Sequence, residues 1–124
     1  MLNPNVPAWF EIPAVDLDRA QRFYETALGQ PFKRETMGEV ELAVFPYGGQ
    51  PMSSGALIRH ERCSPSMDGT TVYLSVENLS VVLDRLGKLD AQTVVPRTAL
   101  PEGMGFFAQF RDCEGNRVGL WSPA

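Results

Sequence analysis

One histidine, His60, and two cysteines, Cys63 and Cys113, bound the nucleophilic and metal chemistry open to this 124-residue chain. The cysteines stand far apart, with no CxxC and no Cys/His spacing. They read as free thiols of a reducing cytoplasm rather than as a disulfide or a zinc site. The carboxylates offer more. Glu11 follows Trp9 and lies between Phe10 and Ile12 in a β-prone run. Strand alternation puts Trp9 and Glu11 on one face, and Phe10 and Ile12 on the other. A carboxylate among such neighbours needs hydrogen-bond partners or a raised pKa, which makes Glu11 the candidate general base. Glu39 and Glu41 share a face of their own strand, so Glu11, Glu39, Glu41 and His60 form the one conceivable non-standard metal set. The simpler reading leaves them solvated. His60 sits at a strand end beside Arg59, Glu61 and Arg62, and Glu39 and Glu41 suit the wet side of a half-buried strand.

Two similar stretches must position these residues. Trp9 to Gly29 is an extended run, an acidic cap and a helix, and Val72 to Ala91 has the same order of parts. Setting Asp16-Leu17 on Asn78-Leu79 also places Ala20 on Val82 and Tyr24 on Leu86, so the apolar helical positions coincide. Asp16 and Asn78 are good N-caps, and Gly29 followed by Pro31 closes the first helix. The stripes Leu17, Ala20, Phe23, Tyr24, Ala27, Leu28 and Leu79, Val82, Leu83, Leu86 predict amphipathic helices at about 16–28 and 78–88. Each helix is followed by three strand-like runs: Phe32–Glu35, Val40–Phe45 and Gly55–His60, then Thr93–Val95, Phe106–Phe110 and Arg117–Trp121. Thr70–Val76 opens the second set. Residues 46–51, 61–69 and 98–105 read as loops, and Asp112 to Asn116 as a turn.

Length and composition fit one ordinary globular domain. A net charge of −4 with no basic run argues against nucleic acid and anionic membranes. No apolar stretch approaches membrane-spanning length, and the amino terminus lacks the parts of a signal peptide; the expected location is the cytoplasm.

The opening WFEIP-x-x-DLDRA-x-x-FYE-x-x-LG and the closing F-x-D-x-EGN-x-x-GL-x-S resemble the vicinal oxygen chelate superfamily of glyoxalase I, bleomycin-resistance proteins and extradiol dioxygenases. The resemblance covers almost the whole chain. It implies an α+β, glyoxalase-like fold: two βαβββ modules, about 5–62 and 69–124 of a single domain at 1–124, forming a curved, cupped mixed sheet with helices packed on the convex side. It also implies a homodimer. Alternation then lines the cup with Trp9, Glu11, Ile58, Thr71, Tyr73, Gly119 and Trp121 as candidate ligand-binding residues. Metal-dependent members place ligands on the first and last strands of each module. Those positions fall here on Trp9, Ala56, Thr71 and Gly119, and none is a competent divalent ligand. The expectation is a protein that binds a small aromatic or partly cationic molecule without a metal or other cofactor. The alternative is a superfamily enzyme, of lyase, isomerase or dioxygenase type, using Glu11 or a divalent metal at the atypical site.

Overall fold

The computed structural model describes residues 7–47 and 54–124. In chain order the elements are β1 (Trp9–Pro13), α1 (Leu17–Leu28), β2 (Lys33–Met37), β3 (Val40–Val44), β4 (Ser54–Arg59), β5 (Tyr73–Ser75), α2 (Leu79–Lys88), β6 (Gln92–Ala99), β7 (Phe106–Arg111) and β8 (Arg117–Ser122), with a 3-10 turn at Pro101–Gly103. The strands make two four-stranded sheets of identical layout, β1-β4-β3-β2 and β5-β8-β7-β6. In each sheet the first and last strands are parallel and the remaining pairs antiparallel. The repeat read in the sequence is thus a repeat in space, an α+β arrangement of two βαβββ modules.

Local chemistry sets the helices. The Asp16 side chain accepts from the Arg19 N–H, and the Asn78 side chain accepts from the Ser80 N–H. Gly29 closes α1 in the left-handed region at φ 74°. The inward stripes follow the predicted ones, with Leu17, Ala20, Phe23, Tyr24 and Ala27 buried on α1 and Leu79, Val82 and Leu86 on α2, while Leu28 and Leu83 are only partly buried at the core's margin. Both modules contribute to one apolar core. Tyr24, Leu57 and Phe110 are among its largest fully buried side chains, and Phe23, Phe32 and Phe45 surround Tyr24.

Several strand limits depart from the sequence expectation. The second run begins at Tyr73 rather than Thr70, although the Gly119 N–H still donates to the Val72 carbonyl at 2.8 Å. β6 runs through Pro96 to Ala99, well beyond the expected Val95. It is an edge strand with register shifts at Val95 and Thr98, where a residue without an N–H is tolerated. Pro13 likewise ends β1 inside the ladder, paired with Ile58 on this edge strand. Residues 48–51 of the expected 46–51 loop lie outside the described residues.

The two sheets are joined by side chains instead of a common ladder. Phe10 and Ser54 of the first sheet and Tyr73, Leu74 and Ser75 of the second border one groove of about 780 Å³. Glu11 and Pro13 face Thr70, Val72 and Arg117 across a smaller cavity of about 140 Å³. The edges β1 and β5 therefore lie side by side with a seam between them.

Candidate functional site

The concave face of the second sheet carries an aromatic wall. Tyr73 pairs in register with Gly119, and a Cβ added at Gly119 would overlap the tyrosine ring. Glycine here lets the ring lie across the strand. Phe107 meets Tyr73 edge-to-face at 6.3 Å and is the register partner of Trp121 on the same face. The Trp121 indole donates to the Met104 carbonyl at 3.0 Å. That close approach uses Gly105, at φ 95°, whose Cβ would collide with the Ser122 carbonyl. Two polar groups complete the wall. Gln109 donates to the Tyr73 hydroxyl at 2.6 Å, and Arg117 donates to the Gln109 side-chain oxygen at 2.9 Å. Thr71 lies just before β5, half-buried.

The concave face of the first sheet is different. Trp9 and Glu11 occupy it with Ala56 and Ile58, as alternation requires. Leu42, Val44, Ala56 and Ile58 form a closed apolar cluster with Val40 and Cys63 packed on it. Ile58, only 3% exposed, is held within that cluster rather than left as free wall. Trp9 is 46% exposed, and its indole donates to the Glu11 carboxylate at 3.3 Å. Glu11 is itself exposed, so the burial that argued for a general base is absent.

The atypical metal set does not assemble. Glu41 pairs with Arg59 on the opposite face of its sheet, beside Asp18 and Arg34, because it shares parity with the core-facing Ala43. Glu39 is in the turn between β2 and β3, so the shared face expected for Glu39 and Glu41 is lost. The His60 Nδ1 accepts from the Arg62 N–H at 3.1 Å, a local turn contact. Among the described residues no three His, Cys, Asp or Glu side chains are grouped to hold a metal ion. The usual family positions fit no better. Ala56 is fully buried in the apolar cluster, the Trp9 indole has no free lone pair, and the Tyr73 ring fills the space a ligand at Gly119 would need.

Residues 112–116 have a role that sequence reasoning missed. Expected as a turn, they clasp the two modules. Buried Asp112 accepts from the N–H groups of Glu114, Gly115 and Asn116 and from the Tyr24 hydroxyl at 2.7 Å. Burial, then the Asp112 charge, pushes the Tyr24 phenol upward. Asn116 donates to the Pro13 carbonyl at 2.7 Å and accepts from the Ser66 N–H. The Glu114 carboxylate caps α1 of the other module, accepting from Val15 N and Asp16 N at 2.8 Å and from Arg19 at 2.6 and 3.0 Å. Burial alone would raise that carboxyl. The bonds from Arg19, Asp16, Cys113 and Val15 outweigh it and hold Glu114 at about 2. The same contact raises the Arg19 guanidinium.

Comparison with known proteins agrees with this geometry. Residues 8–46 match the family described as Bleomycin resistance protein-like N-terminal. A glyoxylase-like domain-containing protein of Didymella fabae is 25% identical over 109 residues, covering 86% of this chain and 84% of that protein. The crystal structure of a glyoxylase/bleomycin resistance protein/dioxygenase domain from Frankia sp. EAN1pec superimposes with a TM-score of 0.67 at 23% identity, covering 91% of this chain and 93% of that one. TnmS3, an antibiotic binding protein from Streptomyces sp. CB03234, gives a TM-score of 0.65 at 20% identity, with 94% of each chain covered. The opening segment thus matches that family, and the two modules share the glyoxalase/bleomycin-resistance fold over nearly the whole chain, in line with the resemblance to the vicinal oxygen chelate superfamily.

Proposed function

We propose that this protein binds a flat, partly apolar small molecule against Tyr73, Phe107 and Trp121, without a metal. The carrying observation is the glycine at position 119 with the Tyr73 ring laid over it. A family position suited to a metal ligand is used here to build an aromatic surface, which favours stacking over Lewis-acid chemistry. The antibiotic-binding neighbour supports the same reading. Trp9 and Glu11 stand across the seam, where the carboxylate suits a cationic or hydrogen-bond-donating group on the ligand. Both cysteines are free thiols, which suits a cytoplasmic protein. Exposed Trp9, Met37 and Tyr73 on the concave faces suit a homodimer that covers part of the cup, and sedimentation at micromolar concentration should show two chains.

The test is tryptophan fluorescence titrated with bleomycin and a panel of small planar aromatics, before and after chelator treatment. Saturable quenching that survives the chelator supports the reading. Quenching that needs about one transition metal per chain, measured by elemental analysis, overturns it. Trp9→Ala should weaken every ligand, whereas Glu11→Gln should weaken cationic ones selectively, by about 1–3 kcal/mol.

A further inference from the structure

The ligand site just proposed, on which this inference rests, contains a hydrogen-bond relay whose polarity fixes what the ligand must carry. The Arg117 Nη1 donates to the Gln109 Oε1 at 2.9 Å, and the Gln109 Nε2 meets the Tyr73 hydroxyl at 2.6 Å. Arg117 is fixed in turn by its Nε, which donates to the Met67 carbonyl at 2.9 Å. A guanidinium has donors only, so the amide oxygen of Gln109 must face it. The amide N–H groups must then face Tyr73, and the phenol oxygen is the acceptor of that bond. Its own proton remains to be given away. Among the described residues no group accepts it, and Tyr73 is 44% exposed. The ring that carries the hydroxyl is held over Gly119 and against Phe107. A cation at the far end of the chain polarises each bond towards a stronger outward donor.

We propose that the Tyr73 hydroxyl, oriented by Gln109 and Arg117, is the hydrogen-bond donor of the site. It selects flat ligands with an oxygen acceptor, a carbonyl or phenolate, at the ring edge. Gln109 and Arg117 are positioning residues, since they act through Tyr73.

Coumarin and naphthalene test this directly, being similar in size and shape but differing in the carbonyl. In ligand-observed NMR titrations of the wild-type protein, coumarin should bind about fivefold to tenfold more tightly. Tyr73→Phe keeps the ring and should bring the ratio close to one, leaving naphthalene affinity within about twofold. Gln109→Glu keeps the size but reverses the polarity: the carboxylate accepts from Tyr73 and turns its proton inward. That variant should also lose the discrimination while naphthalene still binds, which a purely structural role would not produce. Equal affinity of the wild type for both probes, or an unchanged ratio in Tyr73→Phe and Gln109→Glu, overturns the relay and leaves the aromatic site standing. Failure of the wild type to bind either probe overturns the relay and the aromatic site together.

Discussion

Glu114→Gln probes the clasp with almost no change of shape. The wild-type carboxylate closes the amino terminus of α1 from the other module, and its side chain is only 1% exposed. Glutamine can still accept from the Val15 and Asp16 N–H groups through its oxygen. It then turns its NH₂ towards Arg19, where two donors face each other, and it places no charge at the positive end of the helix. A carboxyl held at about 2, against an ordinary 4.5, corresponds to about 3 kcal/mol of stabilisation at neutral pH. Arg19 is half exposed, and solvent screens the pair, so a loss on the order of 2 kcal/mol is expected. The pH dependence follows from the sign of the shift. The folded-state value is depressed, so the contribution is complete above about pH 4.5 and disappears as the pH falls through about 2. Urea denaturation of both proteins at several pH values should show a gap of on the order of 2 kcal/mol at neutral pH, closing on acidification below about pH 4.5. A gap that is constant across this range, or smaller than about 0.5 kcal/mol at neutral pH, would refute the charge-based account of the clasp.

Cys113 should be a sluggish thiol. Burial, its hydrogen bond to Glu114 and the charge of that carboxylate push it up to about 12, so at pH 8 iodoacetamide should alkylate it at least about tenfold more slowly than in the urea-unfolded chain. Equal rates in the folded and unfolded protein would contradict this. Gly119→Ala should cost about 1–2 kcal/mol in urea denaturation as the new methyl displaces the Tyr73 ring, and it should weaken planar ligands in fluorescence titration. An alanine variant with unchanged stability and binding would show that the ring does not depend on the glycine.

What could be read from the sequence was what is encoded locally. Asp16 and Asn78 announce the two helix starts, Gly29 one helix end, and the apolar stripes the buried faces, because each signal lies within a few residues of its effect. Face assignment by alternation also held for Glu11, Tyr73, Gly119 and Trp121, which needs only the correct strand. The face of Glu41 stayed open in the sequence because the face of β3 is set by its pairing with β4, where Glu41 meets Arg59 and stays exposed. The ends of β5 and β6 were illegible for a similar reason: Pro96 reads as a breaker until it is known to lie in an edge strand. The clasp was hidden by distance, since Glu114 and Arg19 are 95 residues apart and nothing in an EGN turn names its partner.

The packing of the Tyr73 ring on Gly119 had a signal that the internal repeat could have supplied. The first and last strands of each module are parallel neighbours, and each pair sets an aromatic ring against a glycine: Phe10 on Gly55, and Tyr73 on Gly119. In the first module the pair faces the core, and Phe10 packs edge-on against Phe45. In the second the parity is shifted by one residue, and the same device faces the concavity. Glu11, paired with Ala56, then occupies the position in the first module that Tyr73 occupies in the second. A carboxylate on one side of the seam and an outward phenol donor on the other would recognise opposite ends of one flat, polar-edged molecule. That asymmetry between otherwise matching modules gives the proposed site a direction, and a ligand carrying a cation at one end and a carbonyl at the other should bind in a single orientation.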